Sequence, residues 1–420
     1  MNGFLKSGLI AAIGLIVMFP SVAFGADLPG GAVDAAKFSR NQNIWFMLML
    51  VAFLMLFIRK FEWGICLATV LSASSSFLAY MAIQEFIIGQ SPAEVWSQNV
   101  MIGGVTCAIT LVIAIGVFIG TIPSWLYLLA GVFFAPAYAF LEYLLFEGLP
   151  AALGGPVTDP GGGILVHLFA AYWGLGVALA IREKRAFDEP MHTSKHSLSL
   201  AWLAAMLLFI LWPSFVTALT TLEETTPVMA NCYMSGLGSM ISAYLTCRLM
   251  SRSGKINPLV FIYAMLAGPV GSSSSLLLAG PWQSLLIGLI AGALSALAFI
   301  RLQGWLNKKL GVVDIMGVHQ LHGVGGWVSL VSGAVFAASA VNILAGAATL
   351  AWGLLAGLGS GLILRSLRGS MEVILSDEAE FEGYNPDPRS LVFEAEGAGP
   401  ADPESGRQPA SMAELAVAGR

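Results

Sequence analysis

The sequence predicts an all-α polytopic membrane protein with eleven transmembrane helices, laid out as two inverted five-helix repeats plus an eleventh helix. Three observations predict it. Of 420 residues, 57% are hydrophobic and 11% charged, where soluble domains carry about 25% charged residues. Apolar runs long enough to cross a bilayer recur along the chain with short loops between them. Lysine and arginine gather in alternate loops, the pattern of cytoplasmic-facing loops in membrane proteins. A net charge of −5 with no basic patch gives nucleic acid nothing to bind. Cys66, Cys107, Cys232 and Cys247 are scattered through apolar segments without CxxC spacing, so they read as small packing residues.

The elements follow in order. Residues 1–25 read as a signal peptide. Lys6 supplies the charged start, residues 9–19 an apolar core too short to span, and Ala23 and Gly25 the small residues before a cut. Residues 26–41 form an extracytoplasmic segment and residues 42–368 the transmembrane channel domain. Its spans are expected near 43–59, 64–88, 98–120, 122–147, 160–182, 197–221, 228–250, 256–279, 281–302, 315–338 and 342–367. Pro123, Pro160, Pro258 and Pro281 stand near helix starts, where a missing N–H does no harm. Abundant glycine and serine, as in GSSSSLLLAG (271–280), lets helix backbones approach closely in lipid.

Charge sets the orientation. Arg59 and Lys60, Arg182 to Lys195, Arg248 to Lys255, Arg301 to Lys309, and Arg365 with Arg368 follow spans 1, 5, 7, 9 and 11. The loops after the even-numbered spans carry no Lys or Arg. The protein is therefore placed in the cell membrane with its N-terminus outside and its C-terminus in the cytoplasm; Lys37 and Arg40 lie on the opposite side from the rule. Residues 369–420 hold eleven acidic residues, three arginines and many Pro and Gly, and read as a mostly disordered acidic tail, a possible docking site for a cytoplasmic regulator.

Two segments carry the chemistry: DPGGGILVHLFAAYWG (159–174) and DIMGVHQLHGVGGWVS (314–329). Asp159 precedes His167 by eight residues, Asp314 precedes His322 by eight, and the two pairs are offset by 155. Eight helical residues rise about 12 Å, which carries each histidine toward the middle of a hydrocarbon core about 30 Å thick. Span 5 enters from one face and span 10 from the other, so the two imidazoles meet at the midplane, where inverted repeats place their sites. Ionisable groups at that depth are costly and mark function. Two facing imidazoles can share one proton and line a polar passage. The bland alternative is a packing histidine bonded to a carbonyl. Asp159 with Pro160 reads first as an N-cap and N1 pair, with a second role of stabilising a cation at the outer mouth; Asp314 reads as the symmetric cap.

His319 lies near the face of His322 and is a possible pore neighbour. A metal site built from His167, His319 and His322 lacks a Cys or Glu to complete it and is not HExxH, so no metal and no cofactor are expected. His192 and His196 fall in a polar loop. In WPSF (212–215), Pro213 is expected to break the helix, with Trp212 and Phe215 flanking the break as pore aromatics. Glu142 is an acidic residue deep in span 4, either a helix-to-helix bond or an interface group.

FLMLFIRKF (53–61), ILVHLFAAYWGL (164–175), ILWPSFVTAL (210–219) and DIMGVHQLHGVGG (314–326) resemble the ammonium transporter/Rh family, and more closely its Rh branch. The resemblance implies a homotrimer of eleven-helix subunits, each with its own pore for ammonia or ammonium, and no enzymatic chemistry. It maps the paired pore histidines onto His167 and His322, the outer aspartate onto Asp159 and its symmetric partner onto Asp314, and one gating phenylalanine onto Phe215. Three positions depart from the pattern. Span 3 offers Thr106 or a neighbour, with no aromatic, where the second gating ring is expected. Leu219 stands where the ammonium-transporter branch has serine, and His319 where the Rh branch usually has Asn. The reading is a passive ammonia channel with a hydrophobic pore, in which ammonium loses its proton before or at the histidine pair. A channel for carbon dioxide or methylamine, an ammonium sensor and an intramembrane metalloenzyme are the alternatives.

Overall fold

The computed structural model describes residues 31–56, 62–187, 195–251, 253–369 and 376–382. The expected signal peptide, Arg59 and Lys60, His192 and the tail from 383 onward lie outside the described residues. Two units separate at Ser376. Of the second, the described part is a short acidic helix, Asp377–Glu380. In the first, the described residues form helices and turns without strands. Among the described residues, seven helical stretches, including Trp63–Ile87, Gly163–Ile181 and Val341–Arg368, are long and apolar enough to cross a membrane, as expected of a multi-pass protein.

Among the helices of the described residues, α1 (Ala32–Met55), α2 (Trp63–Ala82), α3 (Gln98–Ile115), α4 (Leu126–Tyr143), α5 (Phe169–Ile181) and α6 (Lys195–Val216) come first. Then follow α7 (Leu222–Met250), α8 (Pro258–Ala264), α9 (Pro281–Leu297), α10 (Val324–Phe336) and α11 (Val341–Arg368). The most extensive pairings are α7 with α9, α5 with α11, α2 with α4 and α1 with α6. Small residues make them possible. A Cβ on Gly288 of α9 would lie 1.9 Å from the Ser235 carbonyl oxygen of α7, and one on Gly357 of α11 would lie 2.2 Å from that of Trp173 in α5. Without a water-driven force between helices, such close backbone contact supplies the packing energy.

Four local expectations change. First, α1 begins at Ala32, inside the segment expected to precede the span. Two of its amides bond to neighbouring helices: Asn41 Nδ2 donates to Gln98 Oε1 at 3.3 Å and Asn43 Nδ2 to Ser214 Oγ at 2.9 Å. Second, α6 runs through Pro213 instead of breaking there. It ends three residues later, where the Pro213 carbonyl accepts from both Thr217 N–H and Thr217 Oγ1 at 3.0 and 2.6 Å.

Third, the eighth expected span is the broken one. After α8 come separate turns at Ala267–Ser272 and Ser273–Ser275. Pro269 has no N–H for the Met265 carbonyl four residues back, and Ser239 Oγ of α7 donates to that oxygen instead. Fourth, Asp159 and Pro160 are not an N-cap and N1 pair, because the helix starts only at Gly163. Gly162 takes a left-handed φ of 70°, a conformation glycine adopts without a Cβ penalty, and the loop it makes keeps the aspartate three residues further back.

Lys37 and Arg40 also find structural reasons. The Arg40 guanidinium donates to the Thr217 carbonyl at 2.7 Å and to Thr225 Oγ1 at 2.6 Å, and Lys37 donates to Asn99 Oδ1. Glu142 is a helix-to-helix bond: Tyr80 Oη of α2 donates to its Oε2 at 2.8 Å.

Candidate functional site

The histidines sit on two matching pieces of backbone. A π-helical turn, Gly163–Leu168, leads into α5, and another, His319–Gly323, leads into α10. Such turns add a residue to the helical repeat and recur at functional sites. Each is preceded by a left-handed glycine, Gly162 at φ 70° and Gly317 at φ 68°. Each is capped from behind by an aspartate. Asp159 Oδ2 accepts from the N–H groups of Ile164 and Leu165, both at 2.9 Å. Asp314 accepts from Val318 and His319 N–H at 2.9 and 2.8 Å.

The two turns bring His167 and His322 together. Their Nδ1 atoms are 3.0 Å apart, and the rings are nearly parallel, 16° between planes. A bond between two ring nitrogens needs one proton: one Nδ1 donates and the other accepts. The donor ring then has a bare Nε2 and the acceptor ring an Nε2–H. The pair thus presents one acceptor and one donor along its length. His167 Nε2 is buried without a protein partner.

Cavities flank the pair. One of about 40 Å³ is lined by Met47, Ile109, Leu208, Trp212, Phe215, Leu266 and both imidazoles. Another of about 30 Å³ reaches from His322 to Met55, Gly116, Tyr263, Met316 and Gly317. They share Val51, Leu54, Ile113, Leu321 and His322 as walls. Each is large enough for a molecule the size of water or ammonia. The walls are hydrocarbon apart from the imidazoles, the unpartnered Trp212 Nε1 and Tyr263, whose hydroxyl donates to the Leu54 carbonyl. The Trp212 and Phe215 rings lie 5.8 and 6.1 Å from that of His167.

The other candidate residues fall elsewhere. Asp159 is buried, 6% exposed, and lines neither cavity; its Oδ1 accepts from Ser274 Oγ, which Ser329 Oγ contacts in turn, both at 2.8 Å. Asp314 is buried beneath its turn. His319 turns away from the passage toward α5, where the Tyr172 hydroxyl lies 3.4 Å from its Nε2. Trp327 Nε1 donates to that hydroxyl at 2.6 Å, so Tyr172 is left to donate to His319. His196 is exposed. Thr106 donates to the Ile102 carbonyl within its own helix, and α3 meets the passage through Ile109 and Ile113. Among the described residues, no three His, Cys, Asp or Glu groups gather as a metal site.

Sequence reasoning missed the serines that hold Asp159 and the Tyr172–Trp327 bond. One signal was present: Tyr172 and Trp327 share the 155-residue offset of the histidines.

Comparison with known proteins adds the family. A model of the Ammonium Transporter Family matches residues 9–374. Ammonium transporter Rh type C of Oryctolagus cuniculus is 28% identical over 316 residues, 72% of this chain and 65% of its own length. Ammonium transporter Rh type A of Bos taurus is 31% identical over 275 residues, 61% of this chain and 62% of its own. The chain thus spans just under two thirds of the length of these relatives. Among solved structures, Rh50 of Nitrosomonas europaea superposes with a TM-score of 0.80 at 27% identity, over 85% of this chain and 94% of that one. A sensor Amt protein superposes at 0.69 with 18% identity, which speaks for the fold alone. The family match spans residues 9–374, which include both histidine turns, and on that ground the chain belongs to the Ammonium Transporter Family.

Proposed function

We propose that this chain is an ammonia channel of the Rh kind, in which neutral ammonia passes the His167–His322 pair after ammonium has lost its proton. The observation that carries the reading is the Nδ1–Nδ1 contact of 3.0 Å between two small, hydrocarbon-walled cavities. An apolar passage penalises an ion far more than a neutral molecule. The imidazole pair offers ammonia a donor and an acceptor in turn, so its hydrogen bonds are exchanged instead of lost. Phe215 and Trp212 narrow the approach to His167, and Asp159 acts through the backbone turn it caps.

The architecture we propose is eleven spans with two inverted repeats, spans 1–5 and 6–10. The paired π-helical turns, left-handed glycines and aspartate caps at one offset support it. So does the packing of α2 on α4 beside that of α7 on α9. A cytoplasmic C-terminus is supported by the clustering of arginines on one side. Arg368 at the end of α11 donates to the Thr121 carbonyl beyond α3 and to Glu183 beyond α5, which gathers the ends of odd-numbered spans on one face. The homotrimer, one passage per subunit, follows the family.

The test is an ammonium jump across proteoliposomes, read as internal pH and, on a supported membrane, as current. A pH change faster than in protein-free vesicles, without sustained current, is expected; equal rates overturn the proposal, and a sustained current replaces neutral conduction with charge transport.

A further inference from the structure

A further cavity, away from the histidine pair, lies between the first turns of α1 and the turn joining α6 to α7. It has a volume of about 500 Å³, and Lys37 and Arg40 form its basic side. Arg40 is only 7% exposed, yet its guanidinium is bonded to two neutral oxygens, the Thr217 carbonyl and Thr225 Oγ1. Those bonds use two of its five N–H donors. Lys37, one helical turn earlier on the same face, is likewise bonded to a neutral group, Asn99 Oδ1. Among the described residues, the ion pairs join Glu183 to Arg185 and Arg368, and neither cation here has a carboxylate partner.

A buried cation satisfied by neutral dipoles keeps an uncompensated charge, which favours uptake of an anion. The long helix α7 begins at Thr221 in the same wall, but its first turn is closed by Glu224, which accepts from the Thr221 N–H at 2.9 Å, so the positive field of the cavity is that of Lys37 and Arg40. Glu223 is the acidic group of the lining, and it is exposed to solvent. Leu219 and Leu222 complete the rim and are 64% and 45% exposed.

We propose that this cavity binds a phosphate oxyanion, held by Lys37 and Arg40 under an apolar rim. The start of a membrane helix and the exposed leucines favour the phosphodiester of an anionic lipid, and dissolved phosphate shares the same chemistry. The occupant also braces the turn beyond Phe215, because Arg40 holds the carbonyl of Thr217. This site is independent of what the passage conducts.

The experiment uses the full-length protein in a non-ionic detergent. Inorganic phosphate is titrated by calorimetry, and phosphatidylglycerol retention is read by native mass spectrometry against phosphatidylcholine. Arg40 is too buried for a clean deletion, so the variants are Lys37→Gln and Glu223→Gln, with thermal melting to confirm folding. Loss of one screened charge is expected to weaken binding about fivefold in K37Q, and E223Q is expected to tighten it. Saturable phosphate binding with that order assigns a soluble anion. Phosphatidylglycerol retention with that order, and no response to phosphate, assigns a lipid headgroup. Absence of both, or binding that ignores both substitutions, overturns the site.

Discussion

The imidazole pair combines structural and chemical demands at two residues. Replacing either ring by alanine removes one side of the Nδ1–Nδ1 bond and leaves the other nitrogen buried without a partner, at a cost of about 1–3 kcal/mol. H167A and H322A are therefore expected to lower the melting temperature and to cut ammonia flux at least about tenfold in a stopped-flow assay. Flux unchanged in both variants would remove the pair from the pathway. His319 gives the opposite expectation. It bonds Tyr172 outside the passage, so Y172F, which strips the acceptor of Trp327 and the donor to His319, should cost about 1 kcal/mol of stability while flux stays near that of the parent. Phe215 governs size. F215A should speed methylamine more than ammonia, because it enlarges a cavity of about 40 Å³; a parallel change in both rates would place the constriction elsewhere.

The helical elements derive their stability from close contact more than from oily surface. Gly288 and Gly357 press against backbone of a facing helix, where no side chain can yield. Gly288→Val is expected to cost about 1–3 kcal/mol by overpacking, seen as an earlier transition in detergent melting, whereas Gly304, with open space around its Cα, should accept alanine without loss. The capped turns are the second device of this scale. A carboxylate that accepts two backbone N–H groups holds the π-helical turn, and through it the direction of the histidine. Asp159→Asn keeps one acceptor and places an NH₂ against donors, so reduced flux should accompany reduced stability in that variant. Thr106, by contrast, is absorbed by its own helix.

Across the molecule, the arginine-rich face is tied together by Glu183. Its carboxylate receives Arg368 Nη2 at 2.7 Å and Arg185 Nε at 2.9 Å. Burial alone pushes this carboxylate up, but the hydrogen bonds from Arg185 and the charge of Arg368 outweigh it and leave the group at about 2, below an ordinary 4.5. Because the folded value is depressed, the tie contributes fully above about pH 4.5 and is lost as pH falls toward 2. The stability gap between the parent and E183Q should hold steady from pH 7 to 4.5 and close below it; a gap that widens on acidification contradicts the tie.

Much of this protein was legible in its residues. Apolar run length and the alternation of Lys and Arg give a multi-pass helical chain, because lipid admits helices or closed barrels and only a helix needs an apolar run of about 20 residues. The repeated spacing of Asp and His marked the two candidate-site segments, because ionisable groups recurring at one offset within apolar spans are costly and point to function. Three-dimensional packing decided the rest. The three-residue delay before the helix at Gly163, the break after α8 and the sideways turn of His319 all depend on which neighbour supplies a hydrogen bond. That neighbour lies dozens to hundreds of residues away in the chain: Ser274 for Asp159, Ser239 for the Met265 carbonyl, Tyr172 for His319. Local sequence carries periodicity and depth, whereas the partner of a buried polar group is chosen only when the helices meet.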